Sequence, residues 1–145
     1  MKRPGSTSDF LATRNRELLQ TLRRLIMTTD GIPMDGLYAM AAQSPCSRFW
    51  VSEKRAAEVI SRMLRGEDMD VQGLPLRNKM YRELLRRVRE WQAANPGHHL
   101  TDAVFAAVNS PAPEFYVTPQ SAKVIISRIM QKRYKLDRMR SGIKN

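Results

Sequence analysis

Residues Ser44–Leu64 read SPCSRFWVSEKRAAEVISRML, and Ser110–Met130 read SPAPEFYVTPQSAKVIISRIM. The second stretch restates the first, and the offset that sets Ser44 on Ser110 aligns much more of the chain without a gap. Arg16-Glu17-Leu18-Leu19 meets Arg82-Glu83-Leu84-Leu85, Arg23 meets Arg89, Gly31 meets Gly97, and Ala41 meets Ala107. Across segments 15–64 and 81–130, about 15 of 50 positions are identical. Conservative pairs such as Leu22/Val88, Met34/Leu100, Trp50/Tyr116 and Ser52/Thr118 extend the correspondence. An internal repeat sets the unit of folding and is read before any other pattern. Two copies predict a tandem module rather than a solenoid.

Each copy reads as three helices. Leu11, Leu18, Leu22, Leu25 and Ile26 recur at helical spacing and predict a first helix over about 8–28, capped by Ser8. In the second copy Pro75 suits a helix start, Met80, Leu84, Leu85, Val88 and Trp91 form the apolar stripe, and Asn95-Pro96-Gly97 stops it. A short Ala-rich helix follows over about 36–43 and 102–109, with Asp35 and Thr101 as expected N-caps and Met34 and Leu100 placed for a hydrophobic staple. Ser-Pro then ends it, because proline disfavours helical geometry in the preceding residue. Phe49 and Val51 alternate with Trp50, as Phe115 and Val117 do with Tyr116, so a short extended piece is expected with Phe and Val inward. Trp50 and Tyr116 then face the other way, half exposed. Ser52 and Thr118 are placed to cap a third helix over about 53–65 and 119–138.

The expected fold is therefore all-α, with two tandem three-helix, helix-turn-helix-like repeats. The first occupies 1–66 with a basic N-terminal arm, an acidic linker covers 67–74, the second repeat covers 75–138, and a basic tail covers 139–145.

The net charge of +11 predicts a polyanionic partner. Its distribution is uneven. Segments 15–64 and 81–130 carry about +2 each, residues 65–80 are neutral, and the stretch from Gln131 to the end carries about +5. The chain has no apolar run long enough to span a bilayer and no signal-peptide pattern, and Cys46 stands alone, which together predict a cytoplasmic protein without disulfides.

A polar, basic outer face on a helix-turn-helix third helix can enter the major groove, where Arg and Lys meet guanine edges and phosphates. The candidate nucleic-acid contacts are Lys54, Arg55, Arg62, Arg65, Lys123, Arg128, Lys132, Arg133, Lys135 and Arg138. Arg62 and Arg128 have a competing account, which the sequence favours. Glu17 and Glu83 also recur in both copies, and bridges Glu17–Arg62 and Glu83–Arg128 would make both arginines structural. Trp50 and Tyr116 are candidates for base stacking or partner contact, with core packing as the default.

Other patterns fail on chemistry. Asp68-Met69-Asp70-Val71-Gln72-Gly73 starts like a calcium loop, but Lys79 occupies the position that requires a bidentate glutamate. His98-His99 has no further ligand at metal spacing. No nucleophile–base set, phosphate loop or carboxylate pair is legible, so no catalytic residue, metal or cofactor is expected.

The duplicated run Ser-Pro-x-x-x-Phe-x-Val-Ser/Thr followed by a helix resembles small uncharacterised proteins of bacterial phages and mobile elements. That resemblance covers most of the chain. It implies a role in phage or element biology and no activity or functional residue. The sequence thus leads to a non-catalytic nucleic-acid binder, with DNA the expected ligand. The alternative is a protein-interaction or assembly module in which Trp50, Tyr116 and the Ala-rich helices form contact surfaces.

Overall fold

The computed structural model describes residues 7–142. The N-terminal basic arm and the last residues of the tail lie outside the described residues. Among the described residues the chain is all-α, with six helices in the order α1 (Thr7–Thr28), α2 (Met34–Ala42), α3 (Glu53–Leu64), α4 (Pro75–Ala94), α5 (Leu100–Val108) and α6 (Pro119–Arg140). Under the offset that sets Ser44 on Ser110, α2 and α5 coincide at both ends, α3 and α6 at their starts, and α1 and α4 at their ends.

The caps explain the starts of the third helices. Ser52 Oγ accepts from the Arg55 amide at 3.1 Å, and Thr118 Oγ1 accepts from the Ser121 amide at 3.0 Å. Each satisfies one of the amides that a helix start leaves unbonded. Pro75 and Pro119 stand in the first turns of α4 and α6, where a missing N–H costs nothing. The short helices begin earlier than their apparent caps. Pro33 and His99 are the N-cap residues of α2 and α5, with extended backbone and no side-chain cap bond. Asp35 and Thr101 therefore lie inside the first turn, and Met34 and Leu100 open the helices rather than staple them. Asp35 there faces the positive end of the helix dipole.

The packing runs crosswise. Helix α3 lies against α4 and α5, whereas α6 lies against α1 and α2. Among the described residues α3 makes no close approach to α1 or α2, and α6 makes none to α4 or α5. The two compact trios are thus α1–α2–α6 and α4–α5–α3. The sequence expectation of consecutive trios in 1–66 and 75–138 does not describe this packing.

The crossing is made by the two Ser-Pro turns. Cys46 and Ala112 exchange both backbone hydrogen bonds at 3.0 Å in an isolated antiparallel bridge. The Phe49 amide donates to Val108 O and the Phe115 amide to Ala42 O, each at 3.0 Å. Every bond of this set has its counterpart at the matched positions of the other copy. The rings interleave in the same way: Phe49 stacks on Tyr116 at 5.9 Å between centroids, and Trp50 on Phe115 at 6.2 Å. Phe49 and Phe115 are fully buried, and so are Leu18, Ile60 and Leu84. Each contributes about 1.5–3 kcal/mol of gross hydrophobic stabilisation. An unpaired amide in this interior would cost about as much as one of those side chains gains. The two turns satisfy each other by pairing, and pairing carries each third helix to the far side.

Trp50 takes the core packing that is its default reading. It is 9% exposed rather than half exposed, because the Phe115 ring covers one face. Arg48 helps to close the turn: it donates to Phe49 O at 2.9 Å and to Val51 O at 2.7 Å, with its guanidinium near the Phe10 and Trp50 rings. Tyr116 is half-buried and sits at φ +57°, a left-handed conformation that bulky residues rarely take.

Candidate nucleic-acid interface

The expected ion pairs between the first and third helices are not formed, because the third helices have changed sides. Glu17 accepts from the Ser47 amide at 2.5 Å and from Ser47 Oγ at 2.6 Å. Position 113, which matches Ser47, is Pro113 and offers no N–H. Glu83 instead accepts from Arg86 and Arg87. The Arg86 hydrogen bond holds its carboxyl below the usual range, and burial opposes the shift. Arg62 and Arg128 are exposed and have no carboxylate partner among the described residues. The reading that reserves them for structure is therefore corrected, and both stay available to a ligand.

Helix α6 presents Lys123, Arg128, Lys132, Arg133 and Lys135 on exposed positions. Lys123 lies 3.7 Å from Asp35, a weak and solvated pair. The next four have no acidic partner among the described residues. Arg138 is half-buried, with its guanidinium 5.6 Å from the centre of the Tyr134 ring.

Because α6 packs on α1, cations of α1 come beside cations of α6 in two separate grooves. Arg16 borders a groove of about 260 Å³ with Ile129, Lys132, Arg133 and Leu136. Arg14 borders a second groove, of about 350 Å³, with Gln120, Ser121 and Arg128. Burial pushes the Arg14 guanidinium below its ordinary range, though arginine stays charged at neutral pH. No carboxylate lines either groove. Arg14 and Arg16 are site residues that sequence reasoning misses. They sit on a first helix whose register predicts no neighbour from the far end of the chain.

Helix α3 presents Lys54, Arg55, Arg62 and Arg65, all exposed. Here two of the four cations are answered. Arg55 pairs with Glu58 at 3.4 Å and Arg65 with Glu67 at 3.5 Å. Lys54 and Arg62 have no carboxylate partner among the described residues.

The two aromatic candidates divide, Trp50 into the core and Tyr116 half-buried. Trp50 is enclosed and presents no face to a base, and Tyr116 has one face covered by Phe49. The exposed rings are Tyr134 at 62% and Phe105 at 60%. Tyr134 stands among the α6 cations, and its position beyond the repeated motif is why the duplication gives no sign of it. The Ala-rich helices also turn inward: Ala41, Ala42, Ala103 and Ala107 are buried, and outward they show Met40 and Phe105.

Among the described residues no group of three His, Cys, Asp or Glu side chains could hold a metal ion, and no helix is long and apolar enough to cross a membrane. Set against known protein families, characterised proteins and solved structures, the chain matches none.

Proposed function

We propose that the protein is a non-catalytic nucleic-acid binder, with DNA its ligand, that works in the cytoplasm through its basic third helices and terminal arms. The observation that carries this reading is the set of exposed cations without carboxylate partners, Arg16, Arg128, Lys132, Arg133 and Lys135, gathered on α6 and the helix beside it. Such cations exchange bound counterions of the nucleic acid for direct phosphate contact. The reading keeps the internal duplication as the origin of two comparable helix faces, supported by the matched helix limits and crossing bonds. It also keeps the phage or mobile-element setting that the sequence resemblance implies.

A gel-shift titration with random duplex and single strands tests it. Five phosphate contacts give a slope of log K against log salt of about −4.5, so raising salt from 50 to 200 mM weakens binding about 500-fold. Absence of binding to either strand form at 50 mM salt refutes the reading. A second reading, an assembly module, draws on the exposed Phe105, Met27 and Met139. It predicts a stable oligomer or partner complex that is insensitive to salt.

A further inference from the structure

We infer that only one of the two comparable faces, the α1/α6 face, engages nucleic acid, and that the segment joining the halves acts as a built-in polyanion on the other. This inference rests on the proposed function and specifies where that function resides.

The two faces start from matched parts. Arg128 on α6 corresponds to Arg62 on α3, and Arg16 on α1 corresponds to Arg82 on α4. They diverge at the end of the third helix. Gly66, at φ +87°, closes α3: its amide donates to Met63 O at 3.0 Å, and the next amide, of Glu67, reaches back to Arg62 O at 3.1 Å. This is the helix-ending double bond that a left-handed glycine permits. The position matching Gly66 is Lys132, and there the helix does not stop. Beyond Met130, the counterpart of the last residue of α3, α6 runs on to Arg140 and is longer by about 15 Å.

Beyond this point the acidic positions of one side have no acidic counterpart on the other. Arg133, Tyr134 and Leu136 on one side match Glu67, Asp68 and Asp70 on the other. The acidic stretch is held down on its own face. Asn78, 8% exposed, accepts from the Val71 amide at 2.9 Å and donates to Val71 O at 3.0 Å. Arg77 donates to Met69 O at 2.6 Å. The result is two ion pairs, Arg65 with Glu67 at 3.5 Å and Arg82 with Asp70 at 2.9 Å. The counterpart of Arg82, Arg16, has no such partner and borders a groove with Lys132 and Arg133. A phosphate backbone approaching the end of α3 meets the carboxylates of Glu67 and Asp70, already paired with Arg65 and Arg82, and Asp68 between them. Approaching α6, it meets none in the grooves.

The test compares matched charge reversals in the full chain, with a random 20-base-pair duplex and a 20-nucleotide single strand as probes at 50 mM salt. R128E and R133E are expected to weaken binding about tenfold or more each, and R62E to leave it within about twofold. The triple variant E67Q/D68N/D70N is expected to add a second site, raising the number of short duplexes bound per protein from one to two by sedimentation. Circular dichroism of each variant establishes that the helices remain. Equal losses from R62E and R128E overturn the one-face inference, and one duplex still bound by the triple variant overturns the masking role of the linker; in either case the binding function stands. Failure of the unaltered protein to bind either probe overturns both.

Discussion

The crossing of the two Ser-Pro turns makes a quantitative prediction about two residues far apart in the chain. Trp50 and Phe115 stack with ring planes 10° apart and centroids 6.2 Å apart, and both rings are enclosed. A stacked aromatic pair contributes about 0.5–1.5 kcal/mol beyond the area it buries. Replacing either residue by leucine keeps an apolar side chain and removes the stack. The cycle W50L, F115L and W50L/F115L is therefore expected to show a coupling of about 0.5–1.5 kcal/mol, whatever each single change costs. With a urea m-value of about 2 kcal/mol/M, a coupling of about 1 kcal/mol moves the unfolding midpoint by about 0.5 M relative to additivity. Far-ultraviolet circular dichroism is the suitable readout, since W50L removes one of the two tryptophans. Additive costs within about 0.3 kcal/mol would refute the crossed packing, because residues on separate trios without shared contacts do not couple.

Four further outcomes follow from local geometry. S52A and T118A each remove one cap bond and are expected to cost about 1 kcal/mol in urea denaturation. At the left-handed Tyr116, glycine is expected to be more stable than alanine, reversing the usual order by about 1 kcal/mol, because only the residue with a Cβ is strained there. Two ionisable groups set pH behaviour with opposite signs. The Glu83 carboxyl is held low by Arg86, so its contribution is present above the ordinary carboxylate range and is lost as pH falls through its depressed value. E83Q should flatten the acid limb of a stability–pH curve. Burial pushes the Cys46 thiol up to about 11. The stability from keeping it neutral is complete below the ordinary thiol value of about 8.5 and is lost as pH rises through the folded value. Native protein at pH 8 should accordingly resist alkylation at Cys46, and urea-unfolded protein should react.

The crossed arrangement also bears on where the third helices find their stability. The face of α3 that buries Ala56, Val59 and Ile60 and the face of α6 that buries Ala122 and Ile126 are the ones the apolar spacing selects. A helix with such a stripe must bury it against something. Nothing in the stripe names the partner, and here the partner comes from the other half of the chain.

Local order is legible because it is written in neighbouring residues. The spacing of Leu18, Leu22 and Leu25, the caps at Ser52 and Thr118, the proline starts at Pro75 and Pro119 and the inward Phe49 and Phe115 all follow from period, capping and proline geometry. The basic outer residues of α3 and α6 are legible on the same grounds, since a helix face that is not apolar is the face left to solvent. Which trio each third helix joins is a matter of tertiary structure alone. It depends on how the Cys46 and Ala112 turns satisfy each other's backbone, a pairing between distant segments that no local propensity encodes. That single choice placed Trp50 in the interior, released Arg62 and Arg128 from the carboxylates assigned to them, and set Arg14 and Arg16 beside the cations of α6. Charge and amphipathic period belong to the residues themselves, whereas bringing the cations of α1 beside those of α6 required the chain to cross over itself.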